Sequence, residues 1–121
     1  MRYKVLKHLI KNVATQSKFV DVCGNYRLLS EYFPNITIYN FDELLAKDLS
    51  AYDYILLDNL LQNLTVEKAH ALLNEIAEKD ILCMFKVHNS EISVVENMNL
   101  NLTICFKNDL FSYLVNYEYN D

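Results

Sequence analysis

Three apolar stretches of this chain each end on side chains able to do chemistry. Phe19-Val20-Asp21-Val22 runs into Cys23, Gly24 and Asn25; Ile36-Thr37-Ile38-Tyr39 runs into Asn40 and then Asp42; Tyr54-Ile55-Leu56-Leu57 runs into Asp58 and Asn59. Carboxylates and amides in such places accept hydrogen bonds from the hydroxyl or amine groups of a ligand. Equally, they cap and solvate turns, in which Asp and Asn abound. Gly24 is the sole glycine of 121 residues, and a residue without a Cβ lets the backbone bend sharply or approach a bound group. Cys23 would gain nucleophilicity from a nearby helix N-terminus, but no histidine can be placed beside it. Asp42 and Glu43 are neighbouring acids. General acid–base work needs two carboxylates with separated pKa values facing one substrate, which adjacency does not supply, so capping is the better reading of that pair.

Other chemistries find little support. His8, His70 and His88 lie far apart and no CxxC or HxxxH pair occurs, so no metal site is expected. Cys23, Cys83 and Cys105 are isolated, odd in number and set among apolar residues; they read as reduced core thiols of a cytoplasmic protein. The three Asn-X-Thr sequons at Asn35, Asn63 and Asn101 then carry no glycosylation meaning. No apolar run reaches the roughly 18 residues that a bilayer crossing needs, and no membrane association is expected. Net charge is −5 but uneven: the first 20 residues hold five basic and no acidic side chains, and the remainder holds 6 basic against 16 acidic. Such asymmetry can mark a nucleic-acid arm, although the plainer reading is a solvated helix face.

The elements that must position these groups follow from periodicity. Val5, Leu6, Leu9, Ile10 and Val13 recur at helical spacing opposite Lys4, Lys7 and Lys11, which predicts an amphipathic leading helix within residues 1–17. Phe19 to Cys23 is a short strand closed by Gly24. A helix is predicted over Tyr26 to Phe33, stopped by Pro34. Ile36 to Tyr39 alternates as a second strand, and Phe41 to Leu49 is short and helical or irregular. Tyr54 to Leu57 and Ile81 to Val87 are apolar without alternation, as in strands covered on both faces. Between them Thr65 caps a helix from Val66 to about Lys79, with Val66, Ala69, Leu73, Ile76 and Ala77 inward. Ser90 caps a shorter helix to about Asn97. The alternating runs around Leu102 to Phe106 and Phe111 to Tyr119, joined by Lys107-Asn108-Asp109, form an antiparallel hairpin. Strand and helix alternation before it requires crossovers, hence a mostly parallel sheet with helices on both faces. With 52% hydrophobic residues the chain fills one core, a single α/β domain over residues 1–121.

This order of elements resembles that of the class I S-adenosylmethionine-dependent methyltransferases. Phe19-Val20-Asp21-Val22-Cys23-Gly24-Asn25-Tyr26-Arg27-Leu28-Leu29 is similar to that family's first motif, with one glycine where the family usually has three. Tyr52-Asp53-Tyr54-Ile55-Leu56-Leu57-Asp58-Asn59 is similar to its fourth motif, Asp80 to Val87 resembles its fifth strand, and Phe106 onward its closing hairpin. The resemblance implies a three-layer Rossmann-like methyltransferase fold of about six strands. One βα unit is missing, because the passage from Asn40 to Asp53 is too short for the usual helix, strand and helix. It also implies S-adenosylmethionine as cofactor, bound beyond the carboxyl ends of the strands where their order reverses. Asp21, Cys23, Gly24 and Asn25 would line the first turn, and Asn40 or Asp42 would face the ribose. Asp58 and Asn59 would lie near the transferred group as catalytic residues. Tyr26 would intrude on the cofactor unless it rotates out to stack. Loss of a unit would leave Ile36 to Tyr39 as an open edge, inviting a homodimer. The competing expectation is a non-catalytic scaffold that keeps the fold for self-association or partner binding.

Overall fold

The computed structural model describes residues 2–119; Met1, where the leading segment was expected to begin, and Asn120 and Asp121, at the end of the expected domain, lie outside the described residues. Six strands form one sheet: β1 (Phe19–Val22), β2 (Thr37–Tyr39), β3 (Tyr54–Leu57), β4 (Leu82–His88), β5 (Thr103–Lys107) and β6 (Phe111–Val115). Their spatial order is β2-β1-β3-β4-β6-β5. The first four are parallel, in register Val20 to Thr37, Val20 to Ile55 and Ile55 to Cys83. β6 runs antiparallel to both β4 and β5, with a bulge between Ile104 and Phe106. In the connecting turn Asn108 Oδ1 accepts from the amides of Leu110 and Phe111 at 2.9 and 2.8 Å. The chain reverses its direction of travel across the sheet between β1 and β3, and β2 and β5 form the two edges.

Two layers of helix cover the sheet. On one face α3 (Phe41–Leu45), α4 (Leu60–Asn63), α5 (Val66–Glu78) and α6 (Ile92–Glu96) bury an aliphatic core that takes Val20 and Val22 from β1, Ile55 and Leu57 from β3, and Cys83, Phe85 and Val87 from β4. On the other, α1 (Arg2–Asn12) and α2 (Leu29–Tyr32) cover the alternate residues Phe19, Tyr54, Leu56 and Met84 with Tyr113 and Val115. All four residues of β1 and of β3 are buried, which is why neither strand alternates. No described helix is long and apolar enough to cross a membrane.

Several boundaries differ from expectation for local reasons. α2 starts at Leu29 rather than Tyr26; the residues before it form a turn in which the Leu29 amide donates to the Tyr26 carbonyl at 3.1 Å. α5 has its Thr65 cap, accepting from Lys68 N at 3.2 Å, but its inner face is Ala69, Leu72, Leu73 and Ile76, with Val66 and Ala77 exposed. Ser90 does not cap α6; His88 Nδ1 accepts from the Ser90 amide while Glu91 accepts from the His88 amide, forming a short 3-10 turn ahead of the helix. In α1 the buried residues are Val5, His8 and Leu9, and Ile10 is exposed.

Candidate ligand site at the carboxyl rim

Because the first four strands are parallel, their carboxyl ends meet along one rim. Alternation turns Asp21, at the end of β1, toward the α1 and α2 face, where it is only 1% exposed. Burial and the neighbouring Asp58 charge push its pKa up to about 7, against the pull of the Tyr26 and Gly24 amides. Its Oδ1 has no hydrogen-bond partner among the described residues. A buried carboxyl oxygen left unpaired is costly in a closed core, so it is a mark of a place where a ligand group can be received.

The turn that follows is tight. Cys23 and Gly24 both have left-handed backbone, φ 79° and 65°, a conformation that costs an ordinary residue of order 1–2 kcal/mol. The Cys23 amide donates to the Tyr39 carbonyl at 2.8 Å, which ties the turn to the end of β2. Gly24 is required twice over, since a Cβ there would lie 3.0 Å from Ile38 Cγ2 in addition to its positive φ. Cys23 is exposed, not a core thiol as its apolar neighbours suggested; Cys83 is buried and Cys105 half-buried. Burial and then the Asp58 and Asp21 charges raise the Cys23 thiol pKa, opposite to the activation a helix N-terminus would give.

Beyond the turn, side chains from four strands interlock. Asn25 Nδ2 donates to Asp58 Oδ2. Asp58 Oδ1 receives no directed hydrogen bond and is balanced instead by the Lys86 ammonium, 3.1 Å away. Lys86 comes from β4, directly opposite Tyr113 of β6, and its ammonium lies over the Phe111 ring at 4.5 Å and near the Tyr113 ring at 6.0 Å. Tyr26 packs against the core that contains Tyr113, and burial before all else raises its pKa. It therefore lies folded in toward the sheet. Outside this cluster a cleft of about 720 Å³ is bounded by Gly24, Asn25, Tyr26 and Arg27 on one wall and by Arg2, Tyr3 and Leu6 of α1 on the other.

Of the sequence-derived candidates, Asp21, Cys23, Gly24, Asn25 and Asp58 converge, and Asn59 follows Asp58 in left-handed backbone, φ 50°. Asn40 stands at the end of β2, where its side chain accepts from the Glu43 amide at 2.8 Å in a capping box; its amide oxygen is thereby occupied. Asp42 is exposed in the first turn of α3. Sequence reasoning passed over Lys86. The signal was present: a single charge inside the otherwise apolar run Ile81 to Val87. Arg2 and Arg27 had none, because their nearness depends on α1 crossing the β1 turn.

No family model matches the chain, and no curated protein sequence matches it. Solved structures do. The presumed methylase HI0767 from Haemophilus influenzae superposes with a TM-score of 0.55 at 13% identity, over 97% of this chain and 88% of that one. The 16S rRNA methylase RmtB gives 0.55 at 17% identity, over 97% of this chain and 62% of that one. A chain of the Pnkp1/Rnl/Hen1 RNA repair complex gives 0.54 at 13% identity, with 94% and 40% covered. The fold is methyltransferase-like. At these identities the likeness concerns architecture alone, and this chain spans only 40% and 62% of the two longer neighbours. Within a methyltransferase-like sheet, the β1 turn and the end of β3 flank the point where strand order reverses, the place where open α/β sheets receive ligands.

Proposed function

We propose that the chain is a reduced methyltransferase-like protein that binds S-adenosylmethionine at the β1 turn. The reading of a missing βα unit rests on the link from β2 to β3, which carries only α3 and a 3-10 turn over Leu49–Ala51. The observation that carries the function is the buried, unpartnered Asp21 oxygen, three residues ahead of the Gly24–Asn25 turn that lines the cleft. An acceptor there suits an ammonium or hydroxyl donor, and the cleft, at about 720 Å³, has room for a nucleoside-sized ligand. On the ribose side Asp42 is the available acid, since Asn40 is occupied as a cap. When bound, the cofactor supplies an electrophilic methyl group for in-line displacement, which asks the protein for placement more than for a nucleophile. Asp58, with both oxygens engaged, braces Asn25 and Lys86. Asn59, whose side-chain amide makes no hydrogen bond among the described residues, is the group free to orient an acceptor. Three unpaired cysteines suit a reducing, cytoplasmic setting.

One observation favours a second reading. Asn25 and Lys86 both meet Asp58 and Tyr26 is folded against the core, so the rim's polar side chains, Asp21 Oδ1 excepted, are engaged without a ligand. A non-catalytic scaffold would keep this arrangement and use the open β2 edge, with Ile38 exposed, to pair as a homodimer. Calorimetric titration with S-adenosylmethionine and S-adenosylhomocysteine separates the two. Saturable heat that Asp21→Asn weakens at least tenfold supports cofactor binding. Silence at millimolar ligand, with the circular dichroism of a folded protein, moves the assignment to the scaffold.

A further inference from the structure

A second groove of about 590 Å³ runs along the opposite side of α1, between that helix and β5. Lys4, Lys7 and Lys11, spaced three and four residues apart, line up on the helix over about 10 Å, and Lys107 joins them from β5. Neither ion pair among the described residues uses any of these four lysines, and no Asp or Glu lines the groove. This collects positive charge in a protein whose net charge is −5. Rings stand among the charges: Tyr3 is 74% exposed, and Phe106 is half-buried with its ring set edge-on to His8. The sequence alone shows the lysines with only Tyr3 among them; the fold adds Phe106 and Lys107 by laying β5 beside α1.

We infer that this groove binds single-stranded nucleic acid, its phosphates paired with the four lysines and its bases stacked on Tyr3 and Phe106. Charge complementarity selects a polyanion, and the rings select one whose flat bases are free to stack, which a duplex does not offer. Asn12 Nδ2 donates to His8 Nδ1 and to the His8 carbonyl, and His8 Nε2 bonds Tyr117, so these groups hold the helix end of the groove in place. Tyr3 also lines the cleft at the β1 turn, but strand binding needs no cofactor and stands apart from the function proposed above.

Fluorescence anisotropy of the full chain, without cofactor, tests this with labelled RNA and DNA oligomers of one sequence, about 12 nucleotides long. The expected result is saturable binding, with log K falling against log salt at a slope near −3, about −0.7 per phosphate. Replacing Lys4, Lys7 and Lys107 together by Ala should flatten that slope by about 2. Tyr3→Ala should weaken binding roughly tenfold and leave the slope alone. Lys68→Ala, on α5, should change neither. No saturation, indifference to the lysine replacements, or equal binding of duplex or of an acidic peptide would overturn the inference.

Discussion

The two faces of the one sheet are built on different principles. Under α3 to α6 the core is Leu, Ile, Val, Phe, Ala, Met and a buried Cys83, and nothing there depends on a particular polar partner. Under α1 and α2 lie rings and titratable groups: His8, Asp21, Tyr54, Asp58, Lys86, Tyr113 and Tyr117. They are joined in two runs, the hydrogen-bonded Asn12–His8–Tyr117–Tyr54 and Asn25–Asp58–Lys86, which ends in an ion pair. An aliphatic face gains its stability from area and packing density, so its members are exchangeable within volume limits. A polar face depends on each donor meeting its acceptor, and there His8 and Asp21 make stability depend on pH. The difference teaches where chemistry can be added to such a sheet: on the face that already bears the cost of specified partners.

The largest expected effect lies on the aliphatic face. Phe85, fully buried in β4, touches only that core, so Phe85→Ala should cost about 3–5 kcal/mol. Urea unfolding should show this loss equally at pH 5 and pH 8. A loss that varied with pH would mean the two faces are coupled through β4, and the contrast drawn here would fail.

Asp21→Asn sharpens the contrast from the other side. The unfolded carboxyl has a pKa near 3.8 and the folded one is raised to about 7. Below the lower value both states are protonated and Asp21 contributes nothing to pH dependence. Between the two the folded state holds a proton the unfolded state has released, so this group's contribution falls as pH rises, and above 7 the full penalty is present. At about 1.4 kcal/mol per pKa unit, the Asn variant should be more stable than the parent by a few kcal/mol at pH 8 and about equal to it at pH 4. Equal stabilities at pH 8 would mean that the carboxylate is not held buried as described.

What the sequence made legible follows the same division. The unalternated runs Tyr54 to Leu57 and Ile81 to Val87 announced strands covered on both faces, and the turn chemistry of Asn108 announced the hairpin; both are local signals that tertiary structure had no reason to override. The convergence of Asp21, Gly24, Asn25 and Asp58 was legible because parallel strands must end on one rim. Tyr26 was misplaced in a helix because propensity counts neighbours in sequence, whereas its ring is drawn into the core formed with distant β6. His8 was invisible as a core residue because its partner Tyr117 lies 109 positions away. Lys86 fell between the two cases, a local anomaly whose partner is distant.

Tyr117→Phe is the smallest of these effects and the most discriminating. It removes the hydroxyl that joins His8 Nε2 to Tyr54, each contact 2.7 Å, while leaving the ring in place, so the loss should be about 1 kcal/mol. His8 itself titrates below its usual 6.5, first because it is buried and then because Lys11 is near. Its contribution to stability is therefore present above pH 6.5 and is lost as pH falls below it, opposite in sign to that of Asp21. Neither cause involves Tyr117. Thermal melts in the Asp21→Asn background, in which the opposing slope is absent, should show the same acid-side loss with and without the Tyr117→Phe replacement. If the loss vanished with the hydroxyl, the hydrogen bond and not burial would be what keeps His8 neutral.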